Sequence, residues 1–429
     1  MVTHLIGLLL GTEDDWPTAF EQYLRRLAPQ VQHGGQTHEV ATERVTVEPF
    51  DLRQPSRYAL VLDRLSYWYY HPREWLKKLA LLDNTYLLNN PFTFQSMEKH
   101  AAYCTAIRLG FEVPETWLLP HKVPPENERF APTAARYNRA FDLGAVGEQA
   151  GYPLYMKPFH GGGWVNVTRI GSPEELHRAY DASGRELMHV QAGVEGYDVF
   201  TRGLAIGPQT MVTHYDPTRP LHLRYQVDHG FLTPGLGREI VTFGLAVGAF
   251  FRWEFNSFEV IVRDGRTYPI DFANATPDMA LISLHYYFPW AIAALAKWSL
   301  YCVVTGRPMR LDTEIARWCQ VADDPGRSRE EKLGAYRGLV DDYYEVDRFA
   351  EFCERHLAHA DDCMRGYVES GEFDELLVTT VRRAFPPHEH EQLVAHYRGL
   401  LAAWAADQAT STPGAPPDQP ATPGGGAAR

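Results

Sequence analysis

Between residues 4 and 91, short apolar runs alternate with segments of helical period, and this alternation limits the fold more than any other feature of the chain. The run at 4–10 is apolar on both faces, as a strand buried in a parallel sheet would be. In "TAFEQYLRRL" (18–27), Phe20, Tyr23, Leu24 and Leu27 recur at helical spacing. "EVATERVTVEPFD" is rich in β-branched residues, "YALVLDRLSYW" (58–68) is a second apolar strand, "PREWLKKLALLDN" an amphipathic helix and "TYLLNNP" (85–91) another strand. Strands and helices taken in turn predict an α/β domain with a parallel sheet over about 1–112.

The rest of the chain is mixed. "MEKHAAYCTAIRLG" reads as a helix closed by Gly110, "FEVPETWLLP" as extended, and 120–132 as a Pro- and charge-rich surface segment. "GYPLYMKPFHGGGWVNVTRI" (151–170) is strand, Gly-rich turn, strand. "SPEELHRAYD" opens with Ser172 and, three residues on, Glu175, so a helix follows. Residues 186–207 are β-rich, "GREIVTFGLAVGAFF" is helical, and Gly235 and Gly237 suggest a loop near an acceptor site. From about 285 to 405 the pattern is helical; the Pro-, Gly- and Ala-rich segment 407–429 lacks the apolar surface to offset ordering and reads as disordered. No internal repeat is evident.

With 429 residues the chain is too long for one core. A formal net charge of −13 argues against a general nucleic-acid binder, which needs a cationic surface to displace counterions. Five dispersed cysteines read as reduced cytoplasmic thiols. The N-terminal apolar run is short and followed by acids, so it is expected to be a strand and not a signal peptide. No run reaches the roughly 20 apolar residues of a membrane span; the nearest, 290–304, contains Lys297 and reads as a core helix.

Chemistry concentrates in two places. In "SFEVIVRDGRTYPIDFANA", Asp264-Gly265 is a turn signal that brings Glu259 roughly opposite Asp271, with Asn274 just beyond. Two carboxylates and an amide oxygen are hard ligands that suit Mg²⁺, with phosphates completing its shell; a solvated hairpin with acids at its ends fits the same residues. In "YMKPFHGGGW", Lys157 ends a strand just before Gly161, Gly162 and Gly163, where bare backbone N–H groups and a point charge suit phosphate oxygens; a flexible hairpin tip is the alternative. His356, His359 and Cys363 share a helix face but have no second ligand cluster, and a solvated face is expected. "PPHEHEQLVAH" reads as a helix start, and the aromatics of "SLHYYFPW" as core, with His285 a border of the substrate pocket.

The order of these features, a lysine on a helix (Lys99), Lys157 before its glycines, a β-rich hinge in "HVQAGVEGYD", then the acidic hairpin, resembles the ATP-grasp superfamily over roughly residues 60–280. "LLNNPFTFQSMEKHAAYCTAIRLGFEVPETWLLP" is similar to the entry segment of glutathione synthetase, D-alanine–D-alanine ligase and RimK-like carboxylate–amine ligases. The resemblance implies a pre-ATP-grasp domain (1–112), a small subdomain with the flap (113–190), a large subdomain with the metal site (191–300) and a helical extension (301–406) that docks on the core or makes a homodimer contact.

It also implies roles. Lys99 and Lys157 contact ATP phosphates, and Gly161, Gly162 and Gly163 form the flap. Gln191, Ala192, Gly193 and Val194 form the adenine hinge, and Asp198 meets the ribose. Glu259, Asp271 and Asn274 hold two Mg²⁺, or Mn²⁺ in their place. Arg224 or Arg252 neutralises the transferred phosphoryl group. The implied activity is ATP-dependent amide formation between a small carboxylate and an amine, such as an amino acid or peptide, through an acyl phosphate, in the cytoplasm and without nucleic acid or membrane. An ATP-grasp kinase and a non-catalytic ATP-binding regulator are the alternatives. Three departures stand out: Asp271 and Asn274 are three apart where the family has two, Glu259 stands where Asp is commoner, and the flap "HGGGW" is poor in small polar residues, with Trp164 either packing or covering the base. A one-residue bulge would reconcile the first; an altered metal site is the alternative.

Overall fold

The computed structural model describes residues 1–27, 30–93, 99–160 and 165–410. The first sheet has the order β2-β3-β1-β4-β5, with β1 (Val2–Leu9), β2 (Gln30–His33), β3 (Gln36–Arg44), β4 (Leu60–Asp63) and β5 (Tyr86–Leu88). β1 runs parallel to β3 and β4, and β4 to β5. Only the edge strand β2 is antiparallel, joined to β3 by a tight turn at Gly34-Gly35, both at positive φ. This is the parallel sheet that the strand–helix alternation predicts. α1 (Asp15–Leu27) buries Phe20, Tyr23, Leu24 and Leu27 against one face. α2 (Tyr70–Lys78), extended by a wider turn through Asp83, covers part of the other face with Leu76 and Leu79.

α3 (Lys99–Arg108) leads into a second, antiparallel sheet of order β6-β9-β7-β8: β6 (Thr116–Leu118), β7 (Leu154–Pro158), β8 (Thr168–Ile170) and β9 (Met188–Ala192). α4 (Phe130–Tyr137) and α5 (Leu143–Ala150) precede β7, so the segment expected to be irregular to residue 132 turns helical at Phe130. α6 (Pro173–Ala182) starts at the expected cap, Ser172 accepting from the Glu175 N–H. The small core of this unit, including Leu154, Met156, Ile170, Leu176 and Val190, is separate from the main one.

The third sheet, β12-β11-β10-β13-β14, is also antiparallel: β10 (Val199–Ile206), β11 (Gln209–Tyr215), β12 (Tyr225–Gln226), β13 (Phe255–Arg263) and β14 (Arg266–Asn274). α7 (Pro234–Phe251) packs on its back. The Phe258 ring fills the space where Gly203 and Gly244 have no Cβ; a Cβ at either would lie 2.1 Å from it. Gly235 and Gly237 fall in the first turn of α7, not in a loop, because Thr233 caps the helix and Pro234 opens it.

α8 (Leu281–Leu284), α9 (Phe288–Val304), α10 (Ile315–Ala322), α11 (Arg329–Tyr344), α12 (Val346–His356), α13 (Ala360–Val368), α14 (Gly371–Ala384) and α15 (His390–Thr410) complete the chain. One core cluster runs from Ile6 of β1 to Ala405 of α15, so these helices dock on the α/β body. The apolar stretch 281–304 is 89% buried within that core over its most apolar window, as a core helix is. α15 continues four residues into the segment expected to be disordered, because Trp404 and Ala405 are buried and Asp407 accepts a 2.6 Å hydrogen bond from the Tyr286 hydroxyl. Residues 411–429 lie outside the described part.

Candidate active site

The second and third sheets face each other across a cavity of about 270 Å³, closed at one end by α3. The hairpin forms one wall. Its turn has Asp264 at φ 52° and Gly265 at φ 70°, the left-handed pair that a two-residue hairpin requires. The register places Glu259 directly opposite Asp271 and, on the other side, opposite Arg202 of β10. Arg202, Glu259 and Asp271 therefore form one row across three strands, and all three line the cavity.

Asn274 reaches the same wall through an irregularity. Ser257 pairs with Asn274 and Glu259 with Asp271, so two steps on β13 match three on β14. The extra residue lets side chains three apart share a face, and Asn274 Nδ2 lies 3.2 Å from Asp271 Oδ1. The buried Asn256 satisfies the disturbed ladder: its Oδ1 accepts from the Asn274 N–H at 2.9 Å and its Nδ2 donates to the Phe272 carbonyl at 3.0 Å. β14 is an edge strand, which also tolerates Pro269.

Three cations face these acids. Lys99, the first described residue of α3, is 5% exposed and places Nζ 2.6 Å from Asp271 Oδ1. Lys157 donates to Gln191 Oε1 at 2.8 Å and approaches the Ile270 carbonyl at 3.5 Å. Arg202 contacts Glu259 Oε1 at 3.3 Å, its guanidinium 5.3 Å from the Tyr215 ring centre and 6.0 Å from that of Tyr225. Burial pushes the Lys157 ammonium down to about 8, with Asp271 opposing and Lys99 adding to the shift. Burial raises the Glu259 carboxyl, Arg202 offsets part of that, and Asp271 raises it further. Burial would also raise Asp271, but the lysines, Lys99 foremost, hold it below the ordinary value. Burial opposes the Arg202 charge, yet its neighbours Tyr225 and Glu259 raise its pKa.

The rest of the lining is largely apolar, with Tyr155, Val165, Val167, Val194, Tyr197 and Ile261. Ala192 and Val194 of the expected hinge line it. Gln191 does so too, but its amide is engaged by Lys157 and by Thr116 Oγ1 at 2.9 Å. The Gly193 N–H donates to the Pro153 carbonyl, and Gly193 does not line the cavity. Gly161, Gly162, Gly163 and Trp164 lie outside the described residues.

Three expected residues stand elsewhere. Asp198 is exposed and accepts from the Asp264 N–H at 2.8 Å, bracing the hairpin turn. Arg252, 1% exposed, caps α7 in a left-handed conformation. It donates to the carbonyls of Asp312 and Ala249 and lies 4.2 Å from the Tyr343 ring centre, so its guanidinium is spent on packing. Arg224 donates to the Arg219 carbonyl in the turn before β12 and does not line the cavity. The arginine in the cavity is Arg202, a residue the sequence reading passed over. Its signal was present: in "DVFTRGLAIG", Phe200 and Arg202 alternate onto one strand face.

The donor set fits a hard divalent cation: a buried and a partly exposed carboxylate beside an amide supply the oxygen ligands that Mg²⁺ takes. Among the described residues no three His, Cys, Asp or Glu side chains are grouped to hold a metal by themselves, and the set His356, His359 and Cys363 is not one.

No family model matches the sequence, and no curated protein matches it. The chain is similar to solved ATP-grasp proteins. A RimK domain ATP-grasp protein from Sphaerobacter thermophilus matches with 15% identity over 69% of this chain and 99% of its own, at a TM-score of 0.45. D-alanine–D-alanine ligase from Bacillus anthracis, complexed with ATP, matches with 14% identity over 76% and 100%, TM-score 0.44. The macrocyclase MdnC from Microcystis aeruginosa, bound with precursor peptide MdnA, matches with 12% identity over 71% and 100%, TM-score 0.45.

Proposed function

We propose that the chain is an ATP-grasp carboxylate–amine ligase. The observation that carries this reading is the convergence of Lys99, Lys157 and Arg202 on Glu259, Asp271 and Asn274 in a cavity whose remaining lining is largely apolar. An apolar slot suits a purine, and three cations beside paired acids suit a triphosphate with its metal.

In this reading Tyr155, Val194, Tyr197 and Ile261 hold the base, and Lys99 and Lys157 hold phosphate oxygens as point charges. Glu259, Asp271 and the Asn274 carbonyl would hold Mg²⁺, which when bound offsets the charge on the β- and γ-phosphates. Arg202, beside the rings of Tyr215 and Tyr225, faces the transferred phosphoryl group in this reading. A substrate carboxylate attacks the γ-phosphorus, ADP leaves, and the acyl phosphate is taken by an amine with release of phosphate. Fixed cations stabilise the charge that spreads in the transition state, and glycines 161–163 are assigned to the flap that excludes water.

The substrates in this reading are a small carboxylate and an amine, with amino acids and peptides the first to be tried. The test is ADP release from Mg·ATP across amino acids, dipeptides and small polyacids, with hydroxylamine trapping of the acyl phosphate. Lys157→Ala and Asp271→Ala should each abolish product formation while leaving the fold intact. Normal turnover by either, or ADP release without a trappable acyl group, would defeat the ligase assignment; the second outcome would favour a kinase.

A further inference from the structure

Every cation in the cavity is already matched to a group of the cavity wall: Arg202 to Glu259, Lys157 to Gln191, and Lys99 to Asp271. The last pairing is the shortest of the three at 2.6 Å, and it falls on a proposed metal ligand. Asp271 Oδ1 receives both the Lys99 ammonium and, at 3.2 Å, the Asn274 amide. Nearly all of Lys99 is shielded from water, whereas 23% of the Asp271 side chain is exposed.

Resting on the ATP reading, we propose that Lys99 is a gate on the metal site: while no nucleotide is bound its ammonium occupies the cation position at Asp271, and phosphate oxygens must draw it away before a divalent ion can take the carboxylate.

The reason is electrostatic. A divalent ion bound to Asp271 would sit within a few ångström of an ammonium held in a shielded site, and like charges at that range repel strongly. Among the described residues the ammonium's hydrogen bond is to Asp271. A polyphosphate supplies an acceptor of higher charge. With Lys99 turned to it, Asp271 Oδ1 would be free to hold a divalent ion together with Glu259 and Asn274. Nucleotide and metal then favour each other's binding by thermodynamic reciprocity. The Lys99–Asp271 contact also offsets the charge of Asp271 beside Glu259.

The experiment measures binding of free Mn²⁺, by electron paramagnetic resonance, to the full chain without nucleotide. Wild type should bind Mn²⁺ weakly. Lys99→Gln, which keeps the length and removes the charge, should bind it roughly tenfold or more tightly, and adding Asp271→Asn to that variant should remove the gain. Lys99→Arg keeps the charge and should stay as weak as wild type. Equal Mn²⁺ affinity in wild type and Lys99→Gln overturns the gate, as does tight Mn²⁺ binding by nucleotide-free wild type that Asp271→Asn abolishes. The second comparison needs no Lys99 variant to fold. A separate titration of wild type with a fluorescent ATP analogue in EDTA tests the ATP reading: absence of binding there defeats that reading, while the Mn²⁺ contrast still decides whether Lys99 closes the site.

Discussion

Arg202 and Glu259 stand directly opposite each other on β10 and β13, Nη1 3.3 Å from Oε1, and Asp271 continues the row on β14. Three adjacent antiparallel strands thus carry a cation and two carboxylates at one level, and the ladder's register alone fixes their spacing.

Arg202→Ala should be costly twice. It leaves Glu259, 6% exposed, without its nearest cation, a loss of about 3–5 kcal/mol for a broken buried pair. It also removes the donor assigned to the phosphoryl group, with turnover expected to fall roughly 10²–10³-fold. Arg202→Lys keeps the charge but not the planar guanidinium that lies against the Tyr215 and Tyr225 rings, so stability should recover more than turnover. Urea unfolding and ADP release measure the two effects separately; wild-type rates in Arg202→Ala would remove Arg202 from the site.

Lys157 gives a pH signature. Its ammonium is pushed down to about 8 from an ordinary 10.5. Between these values the unfolded chain keeps a proton that the folded chain has lost, so this group's contribution makes stability rise with pH from about 8 to 10.5. Nucleotide binding goes the other way, because phosphate favours the charged amine. Above pH 8, affinity should fall by up to about tenfold per unit, with proton uptake on binding. Calorimetry in buffers of different ionisation enthalpy detects that uptake, and Lys157→Arg should remove it. A flat profile in wild type would show that Lys157 does not meet the nucleotide.

What the sequence reveals here is what local rules control. The strand–helix alternation predicts the parallel sheet, Asp264-Gly265 predicts the hairpin, and the hairpin predicts that Glu259 faces Asp271. Arg202 was missed because its place depends on β10 pairing with β13, strands 56 residues apart at their starts, Val199 and Phe255 being separated by a loop, a strand pair and all of α7. Arg252 misled for a related reason: a cation next to the hairpin in sequence looks available, but its left-handed cap geometry turns it into the helical layer. Asp198 likewise lies beside the hinge in sequence, yet the fold spends it on the turn at Asp264.

The helical extension is tied to the body at Glu254, which is 2% exposed. It accepts from the hydroxyls of Tyr86 in β5 and Tyr343 in α11, from the Trp298 indole in α9 at 2.9 Å and from Arg307 at 2.9 Å. Glu254→Ala would strand the buried Arg307 guanidinium and three further donors at once. A loss of about 3–5 kcal/mol is expected, with the helices and the first sheet unfolding at lower denaturant than the small second sheet. Hydrogen exchange resolved by segment would show this; uniform, unchanged protection would mean the network is dispensable.

Asn256 offers the sharpest test of the three-residue step between Asp271 and Asn274. Its side chain is 0% exposed and bonds both ways to the strand that carries the bulge, accepting from Asn274 N–H and donating to the Phe272 carbonyl. In Asn256→Ala both backbone groups lose their partner in the interior, at about 1–3 kcal/mol each. The cheapest relief is for β14 to slide back into regular register, which would rotate Asn274 off the face it shares with Asp271. Divalent-ion affinity in the presence of nucleotide should therefore fall, even though Asn256 lies outside the cavity lining, while nucleotide affinity in EDTA should hold. Asn256→Asp keeps the acceptor for Asn274 N–H and should retain more of the metal affinity than Asn256→Ala. If the alanine variant binds Mn²⁺ with nucleotide as wild type does, the bulge is not what brings Asn274 to the metal.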